Sequence, residues 1–157
     1  MAIQKHFREG FSMLELTLVI ALILIIASVL FMTLNPSELA ADARNRKRES
    51  DANVLIGLIY RNITDNGGAF TCAIGALPTS TTNMADNNPA AGEYDIANCL
   101  IPKYTSAFPY DPKASGAHFN SAADYDLGYR VVISSTTNRV TVSAPNAESG
   151  ATIQVTR

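Results

Sequence analysis

A continuous apolar run from Leu16 to Leu34 is the feature that most constrains how this chain can fold. The run has 19 residues and no charge, and its only polar members are Thr17, Ser28 and Thr33. As an α-helix it spans about 28 Å, close to the roughly 30 Å hydrocarbon layer of a bilayer. A buried helix of a soluble protein is rarely apolar on every face over five turns. The run therefore predicts a membrane-spanning helix.

The rest of the chain is poor in aliphatic residues. The 157 residues include 34 Val, Ile and Leu, and 12 of these lie in the apolar run. The 93 residues from Asp65 to Arg157 contain only 13. Such a content is low for a packed core, so we expect this part to depend on additional sources of stability.

Composition and motifs exclude several functional classes. Twelve basic and 14 acidic residues give a formal charge of −2, without the basic excess of a nucleic-acid-binding protein. Two cysteines and two histidines leave little material for zinc or triad chemistry. The P-loop, dinucleotide-binding, zinc-protease and nucleophile-elbow patterns are absent. We therefore expect neither enzymatic activity nor a cofactor, and no direct nucleic-acid site.

A cleaved secretory signal is an alternative interpretation of the amino terminus. Lys5 and Arg8 resemble the basic start of such a signal. The apolar run is longer than the usual 7–15 residues, however, and the nearest small-x-small site begins at Ala41, well beyond Leu34. Ordinary signal cleavage is therefore the weaker interpretation.

Glu15 stands one residue before the uncharged run. An ionised carboxylate at membrane depth costs about 2–4 kcal/mol, so such residues usually have a partner. Glu15 either lies at the membrane interface, in the last hydrated turn, or pairs with a cation that its neighbours in sequence do not supply.

The order of residues around Glu15 resembles the class III signal of type IV pilins and type II secretion pseudopilins. Residues 10–20 read GFSMLELTLVI: a glycine, a phenylalanine, three residues, a glutamate and then a continuous apolar helix. The similarity is strong from Lys5 to Leu34, weaker through Gly68, and only architectural beyond.

The resemblance implies a processing site and an assembly residue. Prepilin peptidase would cut between Gly10 and Phe11, and the new amine of Phe11 would be N-methylated. Glu15, fifth from Phe11, would match the family glutamate. In a filament its carboxylate would face the Phe11 ammonium of a neighbouring subunit and set the register of assembly.

Pro36 follows the apolar run and removes one helical hydrogen bond. We expect a kinked continuation of the helix here; the alternative is a true stop, with Ser37 capping a new helix. Helical periodicity then extends from Glu38 to Asn66, before two glycines. Its apolar stripe comprises Ala52, Leu55, Ile59 and Ile63, with Val54 and Leu58 adjacent.

A basic cluster on this helix is interleaved with acids. Its members are Arg44, Arg46, Lys47 and Arg48. Asp42–Arg46 and Lys47–Asp51 are i,i+4 pairs, which favours a solvated helix face. The alternative is contact with lipid headgroups or with acidic patches of neighbouring subunits.

The same cluster conflicts with the family topology. More Lys and Arg follow the run than precede it, so the positive-inside rule would leave the carboxyl-terminal domain in the cytoplasm. The family has a cytoplasmic leader and an external domain. We follow the family, because the cluster begins ten residues past Leu34 and the processing motif requires a cytoplasmic leader.

Cys72 and Cys99 flank a stretch rich in Thr, Ser, Asn, Pro and Gly, and residues 78–92 read as a loop. In a domain outside the cytoplasm, these two cysteines predict a disulfide. The alternative is a pair of buried thiols.

Alternating patterns predict three strands, over residues 125–133, 139–143 and 151–156, joined by two turns. They form an antiparallel meander that packs on the helix. His118 is interpreted as a loop residue, and Asn62-Ile63-Thr64 as a glycosylation sequon within helix, a pattern common by chance.

Asp111, Asp124 and Asp126 are weak candidates for calcium, since some pseudopilins bind calcium in a comparable region. Residues 124–128 only superficially resemble a calcium loop, because the later ligands of an EF-hand are missing. Ordinary carboxylates facing solvent are the favoured interpretation.

The sequence thus predicts an α+β protein, with a long kinked amino-terminal helix packed on a small antiparallel sheet. The expected segments are a leader (1–10), a membrane and filament-core helix (11–34), its amphipathic continuation (35–68) and a carboxyl-terminal domain (69–157). The expected function is that of a prepilin in a type IV pilus-like filament, with a type II secretion pseudopilin or a membrane-anchored domain as alternatives. Expected partners are further copies of the chain, prepilin peptidase, the assembly machinery and lipid. We expect a single-pass precursor in the cytoplasmic membrane, then an external or periplasmic filament.

Overall fold

The computed structural model describes residues 10–33, 35–86 and 92–157. The leader before Gly10 and the last residue of the apolar run, Leu34, lie outside the described residues, as do residues 87–91 of the predicted loop. The elements in order are α1 (Met13–Thr33), α2 (Pro36–Asp65), β1 (Thr82–Ala85), β2 (Glu93–Tyr94), α3 (Ala97–Leu100), β3 (His118–Ser121), β4 (Asp124–Ile133), β5 (Val140–Ala144) and β6 (Ile153–Thr156). The predicted α+β class is confirmed.

The chain divides into two compact units. One ends at Leu39, and we call it the stem unit. The other runs from Ala40 to Arg157, and we call it the head unit. The head unit includes most of α2.

Helix α1 begins two residues after Phe11, because Ser12 caps it. The Ser12 Oγ accepts a hydrogen bond from the Leu14 amide at 3.2 Å, and the Ser12 carbonyl accepts one from the Leu16 amide at 3.1 Å. The 21 residues of α1 span about 31 Å. Residues Met13–Met32 are long and apolar enough to cross a membrane.

The stem was predicted as one kinked helix, and the structure instead has two helices. Asn35 lies between them: its Oδ1 accepts hydrogen bonds from the Ser37 amide and hydroxyl, and its carbonyl accepts one from the Leu39 amide. Asn35 is therefore the amino-terminal cap of α2, a role we had considered for Ser37. Pro36 becomes the first helical residue, a position where its missing N–H breaks no helical bond.

Helix α2 packs on the sheet through one face. Its completely buried apolar residues are Ala52, Leu55, Ile56 and Ile59. Val54 was predicted beside this stripe but is 49% exposed. The helix ends because Gly67 takes a left-handed backbone (φ +74°), so that the Gly68 amide donates to the Ile63 carbonyl at 2.9 Å.

The predicted meander of three strands is confirmed. Strands β4, β5 and β6 pair antiparallel, with Val131 opposite Val142 and Val142 opposite Val155. Every second residue of β4 faces the core: Tyr125, Leu127, Tyr129 and Val131 are fully buried. The period of two in the sequence therefore defined the buried face correctly.

The complete sheet is mixed rather than purely antiparallel, which corrects the prediction. Its order is β2-β1-β4-β5-β6, with β3 also paired to β4. Strand β1 lies inside the stretch predicted as a loop; it pairs parallel with β2 and antiparallel with β4. His118 lies on β3 and not in a loop.

Candidate functional site

The predicted processing site lies ahead of α1 in an open stretch of chain. Gly10 precedes the helix, and no heavy atom lies within 4 Å of a Cβ built there. The Phe11 side chain is 79% exposed. Both sides of the Gly10–Phe11 bond are therefore free of packing within the described part of the chain.

Glu15 lies in the first turn of α1, three residues after the cap. Its carboxylate forms no hydrogen bond or ion pair within the residues that the structure describes. Ser12 and Glu15 have the spacing of a capping box, in which a glutamate or glutamine at this position supports the helix start. This spacing is compatible with a local role of Glu15 at the start of the helix.

Helix α1 buries none of its large apolar side chains in the monomer. Their exposure ranges from 41% at Val19 to 91% at Met32. A contiguous apolar surface of this size is not stable in water, so it requires lipid or other protein as its surroundings.

The basic cluster on α2 is not the solvated face that the spacing predicted. Arg48 is completely buried, and its guanidinium donates to both carboxylate oxygens of Asp111, at 2.7 and 3.0 Å. Arg44 also turns inward, toward Glu148. The Lys47–Asp51 pair forms as predicted, at 2.8 Å, but no Asp42–Arg46 pair occurs among the described residues.

Glu148 lies in the turn between β5 and β6 and pairs with three cationic side chains. Its carboxylate accepts hydrogen bonds from Arg44 at 2.6 and 2.8 Å, from Arg48 at 3.0 Å and from Lys113 at 2.6 Å. Its backbone N–H and carbonyl both bond the Asn45 side chain, at 3.0 and 2.9 Å. One residue thus fixes this turn against the amino-terminal half of the head unit's helix.

Asp111 fixes a second loop in the same way. Besides Arg48, its Oδ1 accepts hydrogen bonds from the amides of Lys113 and Ala114, at 2.8 and 2.9 Å. The loop approaches β4 closely at Gly128, where an added Cβ would lie 3.0 Å from the Asp111 Cβ. Gly128 also has φ +67°, so both space and backbone require glycine there.

Electrostatics keeps the two carboxylates, Asp111 and Glu148, ionised and the Tyr129 hydroxyl protonated. Burial by itself raises the pKa of Asp111, but the hydrogen bonds from Arg48 and the two amides outweigh it, so the pKa lies below its ordinary value. The hydrogen bond from Arg44, followed by that from Lys113, lowers the pKa of Glu148. Burial, and then the hydrogen bond to Asp51, raises the pKa of Tyr129, so its hydroxyl remains a donor.

The three aspartates considered for calcium have separate partners. Asp111 is paired with Arg48, Asp124 bonds His118 and Asn120 at 2.9 Å each, and Asp126 accepts from Asn83. Across the described ranges, no group of three or more His, Cys, Asp or Glu side chains is arranged to hold a metal ion. The structure therefore does not bring the three carboxylates together.

The predicted disulfide between Cys72 and Cys99 is confirmed, with a Cα–Cα distance of 4.9 Å. Asn62 holds the adjoining chain: its amide donates to the Thr71 carbonyl at 3.0 Å and accepts from the Thr71 amide at 2.9 Å. Asn62 is buried, so the sequon asparagine packs inside the fold instead of presenting an acceptor for glycan.

Reduction of the disulfide should destabilise the head unit substantially. The bond closes a loop with a sequence separation of 27, for which the loop-entropy model gives about 3–4 kcal/mol. For a unit of this size, that loss lowers the melting temperature by roughly 10–20 °C. Thermal unfolding of the full chain in detergent, with and without reductant, measures the effect.

The control is the double variant Cys72→Ser, Cys99→Ser. It should melt at the lower temperature whether or not reductant is present. Two thiols that react before any reduction would contradict the disulfide.

Comparison with protein-family models, curated proteins and solved structures finds no match. The function is therefore inferred from the residues and geometry of this chain.

The hydrogen bonds of Arg48 to Asp111 and Glu148 were not predicted from the sequence, although one signal pointed to them. Arg48 lies four residues before Ala52, so it continues the buried stripe by one turn. A charged residue in phase with an apolar stripe indicates a buried partner. The identity of Asp111, 63 positions away, could not be read from spacing.

Proposed function

We propose that this chain is a structural subunit of a type IV pilus-like filament. It is made as a precursor, cut between Gly10 and Phe11, stored in the membrane through α1, and polymerised by burial of α1 among neighbouring copies. Its role is assembly and not catalysis. The observation that carries the proposal is the order of Gly10, Phe11 and Glu15 at the start of a helix that buries none of its large apolar side chains.

The physical logic of assembly follows from that order. Cleavage creates an ammonium at Phe11 that is largely charged at neutral pH. This cation and the Glu15 carboxylate are each costly in an apolar bundle and tolerable as a pair. Exposed α1 surface is accommodated first by lipid and then by other α1 helices, which supply the cohesion.

Two features support an external head unit. Disulfides persist in oxidising compartments, so the Cys72–Cys99 bond favours a location outside the cytoplasm. The residues around Gly10–Phe11 resemble a prepilin processing motif, which requires a cytoplasmic leader and therefore an external head unit. We propose that the leader is cytoplasmic and that the filament is external or periplasmic.

Amino-terminal analysis of the membrane-extracted protein tests the proposal. We expect the mature chain to begin at Phe11 with a methylated amine, whereas an intact Met1 would overturn the pilin class. The control is Gly10→Val. Since the space around Gly10 is open, the new side chain disturbs no packing within the described chain, and loss of cleavage would report recognition by the peptidase.

A further inference from the structure

One end of the head unit is acidic. Asp124 and Asp126 lie at the amino-terminal end of β4. Asp86 joins them because its amide donates to the Tyr125 carbonyl at 2.9 Å, and the Tyr125 hydroxyl donates to Asp95 at 2.8 Å. Asp95 is buried, so it adds no carboxylate to the surface. Within the described residues, His118 is the only cationic side chain paired with any of the other three carboxylates. We call these three (Asp86, Asp124 and Asp126) the acidic end.

The other end of the same strand is basic. Ile133, the last residue of β4, lies opposite Val140, the residue after Arg139. The backbone amide and carbonyl of Val140 both bond the backbone of Arg157, at 3.0 Å each. Arg139 and Arg157 are exposed. Neither arginine forms an ion pair in the part of the chain that is described. We call these two arginines the basic end.

The basic end adjoins an open, largely apolar cavity of about 360 Å³. Its lining includes Tyr60, Ile63, Phe70, Leu77 and Ile133, together with Asn138 beside Arg139. Four of these side chains are only partly buried in the monomer: Tyr60, Ile63, Phe70 and Ile133. The cavity therefore offers apolar surface close to Arg139.

The acidic end carries a small apolar projection. The turn between β3 and β4 contains Ala122 and Ala123, directly before Asp124. Ala123 is exposed, whereas Ala122 is partly buried and packs against the core of its own copy. The exposed methyl group of Ala123, flanked by carboxylates, is complementary to an apolar cavity close to an arginine.

The two ends lie far apart on one rigid element. Strand β4 has ten residues, so its ends are separated by about 30 Å. Two identical copies that meet acidic end to basic end leave one free end of each kind. Such a heterologous contact propagates into an open filament unless its rotation closes a ring.

We propose that the acidic end of one copy binds the basic end of the next, with the exposed Ala123 of its β3–β4 turn in the apolar cavity. The partner is a second copy of this chain, as charge complementarity between the two ends favours. An anionic lipid surface or nucleic acid would attract the basic end and repel the acidic end, so it would use only half of this surface. This contact rests on the proposed function and adds head-to-head specificity to the cohesion of α1.

Charge reversal and charge exchange in the full chain, expressed with its processing and assembly machinery, test the contact. Arg139→Glu should lower the yield of sheared filaments at least about tenfold, since it places like charges opposite each other. Asp124→Arg alone should do the same. The chain that carries both substitutions should recover most of the yield. Arg46→Glu is the matched control, because this exposed arginine forms no ion pair among the described residues and lies outside both ends.

Two further readouts separate the possible failures. The Cys72–Cys99 disulfide reports folding, and cleavage at Gly10–Phe11 reports the proposed function. If folded, processed chains show no loss with Arg139→Glu, an equal loss with Arg46→Glu, or no recovery in the double variant, the contact is refuted and the function stands. If the wild-type chain keeps Met1 and forms no filament, the proposed function fails, and this contact fails with it.

Discussion

Glu15→Ala should leave the chain in the membrane but reduce filament yield to near zero. Membrane insertion is spared, because removal of a carboxylate from the start of a spanning helix lowers the insertion cost by about 2–4 kcal/mol. Assembly is lost, because the Phe11 ammonium of a neighbouring copy would then be buried without a counter-charge. Breaking a buried ion pair in this way costs about 3–5 kcal/mol at every subunit contact. Membrane fractionation and the yield of sheared filaments measure the two effects separately.

Glu15→Gln is the control that separates charge from helix capping. Glutamine leaves the hydrogen bond from the Leu14 amide to the Ser12 Oγ intact and keeps the capping-box spacing, so α1 should begin at the same residue. It removes the negative charge, so filament yield should fall as it does with alanine. Normal filaments from Glu15→Gln would show that the carboxylate acts on the helix start and not as the partner of an ammonium.

The elements that were predicted correctly are those with a local signal. Helix α1 follows from an uninterrupted apolar run, and β4 from strict alternation between Tyr125 and Val131. The Cys72–Cys99 bond followed from there being only two cysteines and from the expected compartment. The two elements needed only neighbouring residues, and the disulfide needed only the number of cysteines and the expected compartment.

The errors arose where distant residues decide the structure. Strand β1 has the sequence TNMA, with little strand propensity, and it forms because β4 and β2 pair with both of its edges. Local propensity cannot reveal a partner that lies 40 or more positions away.

The basic cluster illustrates the same limit at the candidate site. Its i,i+4 spacing correctly predicted the Lys47–Asp51 pair, which is local. Arg48 instead turns toward Asp111 and Glu148, which are 63 and 100 positions away. The buried guanidinium of Arg48 fixes two loops on the helix, one at Asp111 and one at Glu148.

Arg48→Met should cost the head unit about 3–5 kcal/mol of stability. Methionine fills much of the space of the arginine stem, but it leaves the Asp111 carboxylate buried with only two backbone amides as donors. The cost is therefore that of an uncompensated buried charge and not of a cavity. Denaturant unfolding of the full chain in detergent measures it. Arg46→Met is the matched control: the same substitution two residues away, at an exposed position, should change stability by less than about 0.5 kcal/mol.

Adding Asp111→Asn completes a double-mutant cycle. Asparagine keeps an oxygen for the amides of Lys113 and Ala114 but carries no charge, so it removes the penalty that Arg48→Met creates. The double variant should therefore be more stable than the sum of the two single losses implies, by at least about 1 kcal/mol. Additive losses, or equal effects of Arg48→Met and Arg46→Met, would contradict the pairing. Replacing a buried ion pair by apolar residues of similar volume often leaves the stability of a protein unchanged. A strong coupling would therefore indicate that the pair serves to position the two loops on the helix.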